Sequence, residues 1–261
     1  MRRIEGIISL LSDLVAAALT FPSIETITWN SGDRSDGIGE MTEDEKLIAI
    51  YESLLACYGE LHWWPAKTPF EVIVGAVLTQ NTAWGNVEKA LANFNGDLSP
   101  EMIAKTDTTE LAEIIRPAGF FNQKAIYVKA VTEWFSRYGY DVSAVRKEPL
   151  RKIRTELLAT KGVGHETADS ILLYAFGFPT FVVDAYTVRL CSRYPIAAGK
   201  GYEAIKAYFE EHLPPSAEIY NDFHALIVAN AKRHCRKKPI CTGCPLELRC
   251  EKVGIGSTDL S

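Results

Sequence analysis

From Glu43 to about Lys232, apolar residues recur at three-to-four spacing, the period of a helix with one buried face. FEVIVGAVLTQNT (70–82), NVEKALANF (86–94), ELAEIIRPAGF (110–120), QKAIYVKAVTEWFSRY (123–138), LRKIRTELLAT (150–160) and ETADSILLYAF (166–176) each carry such a stripe. A further helical pattern begins near Met41 with MTEDEKL. The stripes are punctuated at Pro69, Asn95–Asp97, Pro117–Gly119, Gly139, Pro149, Gly162–Gly164 and Gly177–Pro179. No stretch alternates long enough for a sheet, and FVV at 181–183 is too short to make one. The pattern predicts an all-α protein of many ordinary helices with short connections.

Composition adds bounds. At 261 residues, 47% of them hydrophobic, the chain is long enough for one large or two medium domains. A net charge of -5 argues against a protein that coats nucleic acid over its whole surface, yet leaves room for a local basic patch. No charge-free apolar run reaches the length of a membrane span, so no membrane partner is expected. MRRIEGIISLLSDLVAAALTF begins basic and turns apolar, but Glu5 and Asp13 interrupt it and no small-x-small cleavage site follows. Residues 1–40 therefore read as an appended helix and polar linker, or as translation from an upstream start. Two of the six cysteines, Cys57 and Cys191, stand alone in apolar surroundings and read as inert core thiols. This usage suits a reducing, cytoplasmic setting better than a disulfide framework.

Two places carry chemistry. KGVGHETADS (161–170) is a tight Gly-x-Gly turn between helices, and the turn leaves the first N–H groups of the second helix pointing outward. Such a terminus accepts an anion, and glycines let a phosphate approach the backbone; a plain αα-turn with a glycine cap has the same sequence signature. After it comes GFPTFVVDAYTVRL, in which Asp184 reads as the N-cap of the following helix, a position that also keeps a carboxylate ionised. The second place is Cys235, Cys241, Cys244 and Cys250, spaced C-x5-C-x2-C-x5-C, a strong metal signal open to an iron–sulfur cluster or a four-cysteine zinc site. Lys232, Arg233, Arg236, Lys237 and Lys238 surround the first cysteine and supply a local positive patch.

Hairpin, Gly/Pro loop and aspartate, in this order, resemble the helix-hairpin-helix DNA glycosylases, the superfamily of endonuclease III. The resemblance implies a two-domain all-α fold. Residues 62–178 form a helical barrel, 41–61 pairs with 179–261, and Asp184 stands at the cleft. It implies that Gly162, Gly164, His165 and Thr167 meet the backbone of a damaged DNA duplex, with Gln80, Asn81 and the 116–124 loop lining the cleft or wedging into the duplex. Asp184 would stabilise the oxocarbenium-like sugar and orient or deprotonate water. In members that also cut the strand, a lysine stands two residues past the second glycine. Glu166 stands there in this chain and cannot form a Schiff base, while Lys161 lies across the turn, so the expected enzyme is a monofunctional glycosylase.

Endonuclease III relatives hold a [4Fe–4S] cluster in a C-x6-C-x2-C-x5-C loop. The first gap is one residue shorter here, and placement after the last helix favours the cluster over zinc. VGAVLTQNTAW, RPAGFFNQKA and HWWP further resemble 3-methyladenine DNA glycosylase III. That likeness implies an alkylated purine stacked between Trp64 and Trp84, with Trp63 and Pro65 on the wall. Two features depart from that family: its second aromatic is typically phenylalanine, and its best-known member lacks a cysteine loop. Ala76 stands where adenine-mismatch enzymes carry glutamate. The alternatives are an endonuclease III-like enzyme for oxidised or mismatched pyrimidines, and a damage-binding module without catalysis. A monomer acting at the nucleoid of a prokaryote-like cell is expected.

Overall fold

The computed structural model describes residues 41–61 and 63–255, and residues 41 onward form one compact unit. The sequence readings of residues 1–40 and of His62 lie outside the described residues. Every regular element among those described is helical. The main helices are α1 (Glu43–Tyr58), α2 (Pro69–Leu78), α3 (Trp84–Ala92), α4 (Pro100–Lys105), α5 (Thr108–Ile114), α6 (Phe121–Ser136), α7 (Val142–Arg146), α8 (Leu150–Ala159), α9 (His165–Ser170), α10 (Ala185–Arg193), α11 (Tyr202–His212) and α12 (Ala217–Arg233). Their starts follow local chemistry. Thr42 accepts from Glu45 N while the Glu45 carboxylate accepts from Thr42 N, a reciprocal capping box. Thr68 and Ser99 cap α2 and α4, each with proline at the first helical position, so Pro69 opens a helix where the sequence showed only a break.

Two apolar cores organise the chain. One is built by α2 to α9, with Trp134, Phe135 and Phe176 buried at its centre. The other joins α1 to α10–α12 and the segment Phe181–Val183, centred on Phe181, Phe209 and Phe223. Burying each such ring contributes roughly 1.5–3 kcal/mol. The sequence reads 166–176 as one helix, but α9 passes into a π-helical turn at Ile171–Ala175. The wider turn shifts the phase of its side chains. Leu172 and Ala175 stay in the first core, Leu173 enters the second, and Tyr174 packs against both.

Two buried polar clusters tie these layers. The Lys124 ammonium, only 2% exposed, donates to Leu78 O, Thr82 Oγ1 and Ala118 O at 2.7–2.8 Å. It thus closes the C-terminal end of α2 onto the 116–118 turn, although burial pulls its pKa down to about 8. Asp169 on α9 is fully buried and accepts from Arg154 Nε (2.8 Å) and Nη2 (3.0 Å), Thr180 Oγ1 (3.2 Å) and the Tyr202 hydroxyl (2.9 Å). Arg154 also binds Glu203, so this cluster links α8, α9, α11 and the 180 loop. The expectation for the isolated cysteines divides: burial pushes the Cys191 thiol up to about 12, as suits an inert core thiol. Cys57 corrects it, because α1 turns that residue to the exposed side of the helix.

Candidate active site

Asp184 precedes α10 with extended backbone and caps it. Its Oδ1 accepts from Tyr186 N (2.9 Å), Thr187 N (2.8 Å) and Thr187 Oγ1 (3.1 Å), which saturates that oxygen and leaves Oδ2 for chemistry. His224 of α12 places Nε2 3.6 Å from Oδ2. Burial by itself would raise the Asp184 carboxyl, but the His224 imidazole and the Thr187 N–H and hydroxyl override it and hold the group below the ordinary aspartate range. An ionised carboxylate thus stands 13% exposed at a helix N-terminus. Glu166 of α9 is exposed at the surface, yet partial burial of its carboxyl and the nearby Asp184 charge raise its pKa, with His224 opposing.

A cavity of about 260 Å³ has walls that include Trp63, Trp64, Lys67, Leu173, Tyr174 and Asn221, with neither Asp184 nor Glu166 among its lining residues. Trp64 stacks on Tyr174 with centroids 4.9 Å apart and planes 27° from parallel. The Tyr174 hydroxyl meets His224 Nδ1 at 2.6 Å, so wall and carboxylate are joined through one imidazole. Trp64 holds φ at +71°, rare for a bulky residue, and its buried indole N–H has no hydrogen-bond partner among the described residues. Trp63 packs edge-on to His224, under the Lys232 ammonium at 5.3 Å.

The hairpin is shaped from inside. Gly162 has φ +83°, and a Cβ there would meet the Tyr127 ring at 2.0 Å, so no other residue fits. Gly164 opens α9 with nothing within 4 Å of its would-be Cβ, which leaves its outer face free for close approach.

Residues 74–215 match the HhH-GPD superfamily of base excision DNA repair proteins, and the helical order of the chain is that fold. The chain belongs to that superfamily. This glycosylase is 49% identical to the "Putative DNA repair glycosylase" of Methanocaldococcus jannaschii, over 79% of its own chain and 96% of that protein. Endonuclease III of Sulfolobus acidocaldarius is 29% identical, covering 71% and 82%. Among solved structures, the H. pylori 3-methyladenine DNA glycosylase bound to 1,N6-ethenoadenine aligns with a TM-score of 0.64 and 30% identity, over 74% of this chain and 98% of that one.

Several residues of the glycosylase stand elsewhere than the sequence implied. Trp84 meets Trp64 edge to face, with centroids 5.5 Å apart and planes at 73°, and does not wall the cavity. The expected sandwich needs parallel rings two stacking distances apart; Tyr174 is the partner parallel to Trp64. Pro65 is likewise not among the cavity's lining residues. Gln80 braces the hairpin rather than facing the cleft: its Nε2 donates to Gly162 O (2.8 Å) and Thr167 Oγ1 (3.0 Å). Thr167 is buried by that contact, so its side chain is not offered to DNA. The His165 ring binds Glu203 at 2.8 Å and stays half-exposed, so its ring nitrogen is engaged within the protein. Asn81 is exposed in a left-handed conformation. At the start of α6, Phe120 also adopts positive φ and is 73% exposed, an aromatic offered to solvent by the 116–124 loop.

Lys232, Arg233, Arg236, Lys237 and Lys238 are all exposed. Cys235, Cys241, Cys244 and Cys250 border one cavity of about 30 Å³ with apolar walls from Leu190, Ile240 and Leu246. No three acidic, histidine or cysteine side chains converge on a single-ion site among the described residues. Four thiols on one rim are the donor set that an iron–sulfur cluster or a four-cysteine zinc ion takes. Arg193 completes the loop, with Nη1 3.2 Å from Cys235 Sγ and its guanidinium donating to Arg236 O (2.7 Å) and Lys237 O (3.1 Å). Sequence reasoning missed Arg193, His224, Tyr174 and Asn221. Each lies on an ordinary amphipathic helix or turn, where only three-dimensional neighbours reveal a role.

Proposed function

We propose that this glycosylase hydrolyses the N-glycosidic bond of an alkylated purine, of the 3-methyladenine kind, swung out of damaged double-stranded DNA. The observation that carries this reading is the aromatic cavity of Trp63, Trp64 and Tyr174, one imidazole away from an ionised Asp184. A base made cationic by alkylation gains roughly 0.5–2 kcal/mol against such ring faces when desolvated. Already a good leaving group, it needs a carboxylate to stabilise the sugar cation more than it needs a strong acid. Similarity to the H. pylori enzyme supports the same substrate class. We read the two cores as two domains, 62–178 and 41–61 with 179–261, and the base enters where Tyr174 packs against both. The open hairpin face, the exposed cations from Lys232 to Lys238 and the exposed Phe120 would hold the phosphates and fill the space left by the extruded nucleotide. One protein copy suffices, since no group from a second chain is needed.

Cys235, Cys241, Cys244 and Cys250 would hold a [4Fe–4S] cluster with a structural role, bracing the basic segment; when bound, such a cluster supplies electron-transfer chemistry that hydrolysis does not use. Protein purified without air should contain iron and acid-labile sulfide in equal amounts; zinc in their place would reassign the site.

Water, rather than a lysine, is the nucleophile, because Glu166 occupies the hairpin position at the cleft. Duplexes carrying 3-methyladenine, uracil, thymine opposite guanine, or an oxidised pyrimidine should discriminate the readings. Free 3-methyladenine is expected, with the strand intact until alkali is added. The Glu166→Lys variant should acquire a borohydride-trappable complex with DNA. Prompt nicking of an oxidised-pyrimidine duplex by the wild type would replace this reading with an endonuclease III-like one.

A further inference from the structure

We propose that His224 is a water-positioning residue: its Nε2 and the free Oδ2 of Asp184 together hold the water that attacks the sugar. The inference rests on the glycosylase reading of Asp184 and adds the group that aims the nucleophile.

Geometry assigns this role in steps. His224 is 5% exposed, and its Nε2 has no hydrogen-bond partner among the described residues. A buried N–H left without a partner is costly, so the atom is there to be used. Burial pushes the Tyr174 phenol well above its ordinary pKa, so its hydroxyl keeps its proton and donates to Nδ1 at 2.6 Å. With Nδ1 accepting, the neutral imidazole carries its proton on Nε2. That nitrogen lies 3.6 Å from Asp184 Oδ2, too far for a direct hydrogen bond. Two atoms at this separation can both lie about 2.8 Å from one oxygen placed to the side of the line between them. The Asp184 Oδ1 is already saturated, so Oδ2 alone remains to take a proton.

In the resulting step the water accepts from His224 Nε2–H and donates to Oδ2, which leaves a lone pair aimed at C1′. The oxygen–C1′ bond forms while the C1′–N bond breaks, its electron pair leaving with the cationic base as a neutral purine. One water proton passes to Asp184 and then to solvent; the other stays in the new hydroxyl group. The groups that face the ring are Asp184 from α10, Glu166 from α9, Tyr174 from the π turn and the edge of Trp63, with Asp222 acting on Tyr174 from the same helix as His224.

Single-turnover rates test this, using the full-length protein with its metal loop intact, and with melting temperature and duplex affinity measured alongside. His224→Phe should lose about 10²-fold in rate at unchanged duplex affinity, as expected for a nucleophile no longer aimed. His224→Gln, whose amide N–H reaches the same place, should keep most of the activity. If His224→Gln is as slow as His224→Phe, His224 only fills space and the proposal fails. Full activity of His224→Phe beside an inactive Asp184→Asn would also remove His224 while leaving the site reading intact. An active Asp184→Asn would instead remove that reading.

Discussion

Asp184→Asn is expected to slow base release by about 10³-fold in single-turnover assays, the scale of losing a preorganised charge at a transition state. The change is nearly isosteric, and asparagine caps helices as well as aspartate. Its carbonyl oxygen can keep the donors from Tyr186 N, Thr187 N and Thr187 Oγ1, so α10 should start where it starts now. What disappears is the negative charge on Oδ2. In its place an amide presents a positive edge to a sugar on which positive charge is building. The amide also cannot take a proton from water, which removes general-base assistance. Duplex affinity and melting temperature should stay close to wild type, so the loss will appear in the rate alone. Turnover within tenfold of wild type would deny Asp184 its role, and with it the reading of the aromatic cavity.

Asp169→Ala should be the most damaging change to stability. The carboxylate is fully buried and answers four donors: two from Arg154, one from Thr180 and one from Tyr202. Removing it strands the Arg154 guanidinium, itself 18% exposed, with only the half-exposed Glu203 as counter-charge. Breaking a buried pair from one side costs about 3–5 kcal/mol, because the surviving charge is left desolvated. For a chain of this size that corresponds to a melting temperature lower by roughly 6–20 °C. Asp169→Asn, which keeps acceptors but not charge, should fall between wild type and alanine in calorimetry. A loss below about 1 kcal/mol for the alanine variant would mean that water reaches Arg154 and that the cluster does not bind α8, α9 and α11 together.

The DNA-facing residues show where a one-dimensional reading stops. Gln80, Thr167 and His165 lie where the resemblance puts DNA contacts, yet Gln80 and Thr167 bond each other under the hairpin and His165 bonds Glu203. A polar side chain near a binding surface can face either way, and the donors on its inner side come from segments far along the chain. Trp84 fails as a wall for a similar reason. Its helix supplies an indole at the expected place, but the ring angle depends on how Trp64 and Gly75 pack against it.

Local chemistry alone determined the helical class, the hairpin, the cap at Asp184 and the crowding of four thiols. Periodicity, glycine conformation, capping and short cysteine spacing all act within a few residues, so each leaves its mark in consecutive letters. Tertiary structure alone decided that Tyr174, packed against both cores, meets His224 beside Asp184, and that Arg193 reaches into the cysteine loop. These contacts join residues tens of positions apart and arise only when amphipathic faces bury against each other. A histidine or tyrosine on such a face looks the same in sequence whether it packs or serves chemistry. Its meaning is set by the charge and the unfilled hydrogen bond that folding brings next to it.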